Sequence, residues 1–467
     1  MTILTQALGL IASLAILVLV HELGHFFFAR LFKIRVEKFY MFFNPWFSIL
    51  RVKKINGKYK TSWFSSSAPE AWKEQPDNTE WGIGWLPLGG YCAIAGMVDE
   101  TKKADDLPTE PQPWEFRAKP AWQRLFVILG GVLVNLLSGI LIYIGIMFSW
   151  GESYIPYKSV KHGLSFSETA QNAGFKNGDF IVDINGKTPE RLEDATFSLM
   201  LDDIKSVRVL RHGDTVNIEI PKDFNKQILA SSEKGFIYYN FPAVIDSVIP
   251  NFPADSAGLR QNDSIVGINE RTIIAFSELE EELAKNTGKE VLVYYFREGK
   301  GCVEAVTIGE DAKLGFYPKD FKPKELEQAH FLEIETVYYG IWASIPRGVE
   351  KGISTLTSYI KQFKLIFTKE GATQIGGFGT IGSIFPKSWD WHQFWAVTAF
   401  ISIILAFMNF LPVPGLDGGY FLFILVEMIT GKKPSDKFLE RANTIGFILL
   451  IALLIWANGL DVFRLFK

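Results

Sequence analysis

Four apolar stretches divide this chain, at about 4–28, 124–149, 393–428 and 444–463. Each reaches the roughly 20 residues a helix needs to cross a bilayer, so the pattern predicts four transmembrane segments. The third is unusually long and carries Asn409, Pro412, Pro414, Gly415 and Asp417. Its two prolines remove backbone donors and break the helix. Broken backbone at membrane depth is tolerated only where it is buried in protein or lines a cavity, so the break is a candidate site. The first stretch is also unusual. From Ile3 to Phe28 its only ionisable side chains are His21, Glu22 and His25. No Lys or Arg precedes Arg30, and no small-residue cleavage site leads into polar sequence. The stretch therefore reads as a retained span and not as a signal peptide.

Between the spans the pattern changes. Ala170, Ala173-Gly174, Asp179, Ile181-Val182 and Ile184-Asn185 recur as Ala254, Ala257-Gly258, Asp263, Ile265-Val266 and Ile268-Asn269, at a constant offset of 84 residues. Two copies predict tandem domains, because a solenoid stacks three or more shorter repeats. Each copy has a small-residue helix start, a Gly turn and an alternating strand ending at an Asn turn, which resembles PDZ domains. Segment 56–97 is rich in Gly, Trp and β-formers and predicts a small sheet near the membrane. Its strands serve either as a structural hairpin or as an edge for substrate. Residues 99–120 are Pro- and acid-rich and read as irregular. In 331–370, Tyr338, Trp342, Ile345, Val349, Ile353 and Leu356 recur at helical spacing. That helix lies either on the outer membrane face or on the domain before it.

The fold class expected is a polytopic α-helical membrane protein with four transmembrane segments, a small membrane-associated β-sheet and tandem α+β PDZ-like domains. The spans fall in 1–30, 124–150, 393–430 and 444–467. Loops 31–123 and 431–443 join them on one side. The repeat domains occupy 151–235 and 236–320, followed by an amphipathic membrane-surface region at 321–392.

Composition agrees with that mixture. A hydrophobic content of 48% and a mean hydropathy of +0.13 are high for a soluble enzyme, while 21% charged residues is too many for spans alone. A net charge of −3 gives no basis for a nucleic-acid partner. Basic residues flank the spans on one side: Arg30, Lys33, Arg35 and Lys38, then Arg117, Lys119 and Arg124, then Lys432, Lys433, Lys437 and Arg441. The positive-inside rule puts these loops in the cytoplasm and 150–392 outside it. Cys92 and Cys302 then lie on opposite sides, as two free thiols.

The chemistry starts from spacing. Positions i and i+4 share a helix face, so His21 and His25 can reach one metal ion. Glu22 beside them is placed to take a proton from an attacking water. Ionisable groups inside a span cost about 2.5–3.5 kcal/mol each on insertion scales, so they default to functional roles. The other histidines, His162, His212, His330 and His392, have no ligand pattern around them. A catalytic zinc takes three protein ligands and keeps one position open. Asp417 is the best third ligand, and its alternative role is to cap the helix 419–430. His25 lies five residues before Arg30, about 7–8 Å of helix rise, which puts the site near the cytoplasmic surface. A helical substrate must unwind before its peptide bonds are accessible, and a sheet edge can pair with the donors that unwinding exposes. Two competing readings differ in kind. One is a membrane-anchored scaffold whose domain pair captures protein ends around a structural zinc, although such zinc sites usually close with four protein ligands. The other is a soluble-type metalloprotease merely tethered by its spans, which needs His21 and His25 outside the bilayer.

His21-Glu22-x-x-His25 in the first span and Asn409-x-x-Pro412-x-Pro414-x-Leu416-Asp417-Gly418 in the third closely resemble the site-2 protease family of intramembrane zinc metalloproteases. The closer match is the bacterial branch with two PDZ domains, the regulator of sigma-E protease type. Pro87-Leu-Gly-Gly-Tyr91 and Gly130-Gly131…Asn135 also fit, and the resemblance covers essentially the whole chain. It implies Zn2+ held by His21, His25 and Asp417, with Glu22 as general base. It implies a substrate-binding set of Asn409, Asn135, Gly89 and Gly90. For Asn135 a helix-to-helix hydrogen bond is the alternative. The resemblance also implies a PDZ pair that gates access. Substrates would be single-span membrane proteins trimmed beforehand, typically anti-sigma factors or signal-peptide remnants, met in the membrane lipid. The implied location is the bacterial inner membrane, multi-pass, with the PDZ pair periplasmic and the site near the cytoplasm. Two stretches depart from the family pattern. Tyr40-Met41-Phe42-Phe43-Asn44 stands where a Gly-x-Gly is usual, and Gly376-Gly-Phe-Gly-Thr-Ile-Gly382 lacks a Gly-Pro.

Overall fold

The computed structural model describes residues 2–87, 89–97, 110–202, 204–231, 235–372 and 375–465. The chain forms two compact units. One comprises Met1–Gly151, Tyr338–Ile366 and Ala372–Lys467, and the other Glu152–Val337 with Phe367–Gly371.

The first unit is built on α1 (Thr2–Leu31), α2 (Ala121–Ser149), α3 (Ile341–Phe363), α4 (Phe378–Ser383), α5 (Trp391–Phe410), α6 (Asp417–Thr430) and α7 (Asp436–Leu465). Among the described residues, α1, α2, α5 and α7 are long and apolar enough to cross a membrane. The chain is a membrane protein. α2 is the hub, with α1, α3, α5 and α6 all packed on it. Small residues let these helices close. A methyl at Gly24 would sit 2.3 Å from the Gly130 carbonyl oxygen, and one at Gly348 2.5 Å from Ile144 Cγ1. In lipid, helices gain little from the hydrophobic effect, so such close van der Waals contact holds them together.

The predicted third span, 393–430, is two helices, α5 and α6, separated by an irregular turn at 411–416. Pro412 and Pro414 supply no N–H there, and Gly415 takes φ +90°. Gly418 and Gly419 let the start of α6 tuck under the turn. Methyls at these positions would lie 2.1 Å from Leu411 O and 2.5 Å from Val413 O. The last helix starts at Asp436 and not at 444. Asp436, Lys437, Glu440 and Arg441 lower the local hydropathy, yet they form the first turns of α7. Segment 321–392 contains α3, which packs on α2 and α5 and leaves Trp342 82% exposed.

Strands β1 (Val36–Met41), β2 (Phe43–Ile55), β3 (Lys58–Ser65), β4 (Glu80–Leu86) and β5 (Tyr91–Ile94) form one sheet in the order β3-β2-β4-β1-β5. β1 and β4 run parallel, and the other pairs are antiparallel. The sheet begins well before the predicted 56–97, because Tyr40–Asn44 is strand on both sides of a sharp corner at Phe42 (φ 76°). A buried trio fixes its middle. Tyr40 OH and Arg51 Nη1 both donate to Glu80 Oε1, at 2.5 and 2.8 Å. β5 pairs with β1 and with no other strand among the described residues.

In the second unit the sequence repeat becomes a structural one. The strands Phe180–Ile184 and Ser264–Ile268 match, as do the helices Leu192–Leu201 and Phe276–Lys285. In each copy a late strand returns to the first: Ile237–Tyr239 pairs with Leu164–Phe166, and Phe316–Pro318 with Ile245–Val248. The first copy therefore runs through Tyr239, past the predicted boundary at 235. Both copies keep the same ion pair, with the carboxylate buried and the guanidinium partly exposed. Arg211 Nε and Nη2 reach Asp179 at 2.8 and 2.7 Å, and Arg297 reaches Asp263 at the same distances. The second guanidinium nitrogen also donates to Gly174 O or Gly258 O at 2.9 Å. Asp263 is fully buried. Arg297→Ala is expected to remove the charge partner of that carboxylate, which keeps the Arg260 N–H at 2.7 Å, and to destabilise this unit by about 3 kcal/mol. Denaturant titration of the full chain checks it, and a loss below about 0.5 kcal/mol, the range of ordinary surface substitutions, would contradict it.

Candidate active site

α1 carries His21 and His25 one turn apart, with ring centroids 4.8 Å apart and Nε2 atoms 3.2 Å apart. Asp417, the first residue of α6, brings Oδ2 to 3.3 Å from His21 Nε2 and 3.4 Å from His25 Nε2. The three ligand atoms lie within 4.8 Å of one another. Asp417 Oδ2 is buried and accepts no well-formed hydrogen bond. A stranded carboxylate oxygen facing two imidazole nitrogens fits a shared divalent cation. Capping does not explain Asp417, because the cap position is Leu416 and no side chain caps the helix.

α2 shapes the cluster from behind. His25 Nδ1 lies 2.8 Å from Val127 O, and a carbonyl can only accept. The proton therefore sits on Nδ1, and the Nε2 lone pair faces the cluster. Gly131 leaves room for both rings, since a methyl there would sit 2.5 Å from His21 Cε1 and from His25 Nε2. Gly131→Ala is expected to push the rings apart and weaken zinc binding roughly tenfold or more. Chelator competition on the purified chain checks this, and an unchanged affinity would refute it. At the other end of α6, Glu427 pairs with Arg124 of α2 at 2.5 Å, both side chains nearly buried.

A cavity of about 440 Å³ opens at the cluster. Glu22, Asn409 and Gly90 line it, as do Tyr91 and Cys92 from the edge strand β5. Gly89 sits against the Phe43 ring, where a methyl would meet Cε2 at 2.6 Å. Asn135, expected among the substrate contacts, does not line the cavity. It is fully buried behind His21, with Nδ2 3.1 Å from His21 Nδ1. The sequence reading missed the wall that α7 contributes: Glu440, Asn443, Thr444 and Phe447. Their i, i+3, i+4, i+7 spacing is a legible helical stripe, hidden by starting the span at 444. Asn443 Nδ2 donates to Tyr420 OH at 2.8 Å. α7 also rests directly on the turn before Asp417, where a methyl at Gly446 would lie 1.6 Å from Pro414 O.

Two histidines one turn apart, a carboxylate from a broken helix and an adjacent glutamate, in a membrane protein, define a zinc metallopeptidase. Residues 9–66 and 58–453 match the profile of peptidase family M50, and the chain belongs to that family, the site-2 protease family. It is 27% identical to a candidate zinc metalloprotease of Vibrio cholerae serotype O1, over 99% of each chain. It is 25% identical to another of Thermotoga maritima, over 96% of this chain and 97% of that one. It is 26% identical to the regulator of sigma E protease of Haemophilus influenzae, over 97% of this chain and 98% of that one. The cofactor is zinc.

Proposed function

We propose that this protein is an intramembrane protease that hydrolyses peptide bonds within the spans of single-span membrane proteins. The observation that carries the reading is the meeting of His21 and His25, inside an apolar helix, with Asp417 at the break in another. His21, His25 and Asp417 would hold the zinc. When bound, zinc supplies a Lewis acid that polarises the scissile carbonyl and makes water more acidic. Glu22 takes a proton from the attacking water and returns it to the leaving amine. The edge of β5, with Gly90 and Asn409 nearby, receives the unwound substrate by strand addition.

The second unit is read as a tandem PDZ pair. The returning strands Ile237–Tyr239 and Phe316–Pro318 each pair on one side only among the described residues. Phe276 of the neighbouring helix meets Phe316 edge-on at 6.1 Å. An open strand beside a helix suits a device that admits or excludes chain ends. The pair restricts access to substrates already trimmed outside, such as anti-sigma factors or signal-peptide remnants. The protein lies in the bacterial inner membrane, with this pair periplasmic and the zinc site nearer the cytoplasm. Comparative membrane proteomics of cells carrying the wild type or Glu22→Gln tests the proposal. Truncated single-span proteins should accumulate in the variant, and identical membrane proteomes would refute it.

A further inference from the structure

Asn135 is fully buried on α2, and its Nδ2 faces His21 Nδ1 at 3.1 Å. In that pose the amide donates to a bare Nδ1, so the His21 proton must sit on Nε2. Yet Nε2 is the atom that faces His25 Nε2 at 3.2 Å and Asp417 Oδ2 at 3.3 Å. A protonated Nε2 cannot bind a metal. The same pose leaves Asn135 Oδ1 buried without a hydrogen-bond partner. A half-turn of the side-chain amide exchanges its two ends with almost no change of shape. The oxygen then gains a donor in His21 Nδ1–H, the amide nitrogen takes over the unpartnered place, and the gain is that the Nε2 lone pair turns to the cluster. His25 already follows this rule, through Val127 O on the same helix. The turn of α2 that carries Asn135 is itself pinned, since Ser402 Oγ of α5 donates to the Asn135 carbonyl at 2.7 Å.

We propose that Asn135 is a positioning residue of the zinc site, whose side-chain oxygen fixes His21 as an Nε2 ligand. The inference rests on the zinc-protease reading above. It replaces a role in holding substrate with one in holding the ligand that holds the metal. Partners of this outer kind commonly set metal affinity, because they choose the tautomer and orient the ring.

The test is the zinc affinity of the purified full chain, by chelator competition, with the melting temperature recorded for each variant. Asn135→Asp keeps an acceptor and loses the donor, and it should bind zinc at least as tightly as the wild type. Asn135→Leu, close in size but without an acceptor, should bind roughly 10–100-fold more weakly. If the Leu variant folds poorly, Asn135→Ala, which also lacks an acceptor, takes its place and should show the same weakening. Equal weakening in both variants would overturn the inference, because shape or the donor would then matter. Unchanged affinity in both would also overturn it and return Asn135 to a substrate or helix-packing role. A wild type that holds no zinc would overturn the metal reading and this inference together. Tight zinc in the wild type, with a loss in the Asp variant, overturns this inference alone.

Discussion

The Asp417→Ala chain is expected to purify without stoichiometric zinc and without measurable peptide hydrolysis, while its helices stay folded. Two imidazoles with Nε2 atoms 3.2 Å apart would remain. A catalytic zinc draws on three protein ligands, and Asp417 supplies the only negative charge among the three. The side chain has little structural work of its own. It caps nothing, and the tight approach to the proline turn belongs to Gly418 and Gly419. Losing it also removes a buried carboxylate oxygen that makes no hydrogen bond. Elemental analysis and circular dichroism on the same sample check both halves. Zinc retained at the wild-type level would remove Asp417 from the ligand set.

Glu22→Gln is expected to give the opposite pattern: zinc kept, hydrolysis slowed by roughly 10²–10⁴-fold. Glutamine has the same shape as glutamate, but it cannot hold a proton taken from water at neutral pH. Glu22 lines the same cavity as the three ligands without belonging to the cluster. The measurement is the cleavage rate of a purified single-span reporter, alongside zinc content. A wild-type rate in the variant would mean that the base lies elsewhere, and Glu440, which lines the same cavity from α7, would be the next acid to replace.

Much of this site was legible in the chain. His21, Glu22 and His25 were conspicuous because an apolar span otherwise excludes ionisable groups. Asp417 was conspicuous because it follows two prolines at the same expected depth. The contribution of α7 was harder to read. Its charged first turns look like loop by hydropathy, yet backbone hydrogen bonds hold them in a helix, so Glu440 and Asn443 reach the cavity. The early start of the sheet was hidden for a similar reason. Tyr40–Asn44 is aromatic enough to pass for a membrane-dipping loop, and only pairing with β4 and β5 makes it strand.

Local pattern therefore determined which segments are apolar, where the third span breaks, that the middle of the chain is duplicated, and which side chains are chemically out of place. These follow from spacing and from the cost of polar groups in hydrocarbon, which act along the chain. The tertiary structure decided what meets what. It set Asp417 against two histidines some four hundred positions away, moved Asn135 from the cavity to the back of His21, and turned glycines into the space that lets rings and helices approach. Such contacts depend on atomic fit between distant segments, and periodicity along a single chain carries no record of that fit.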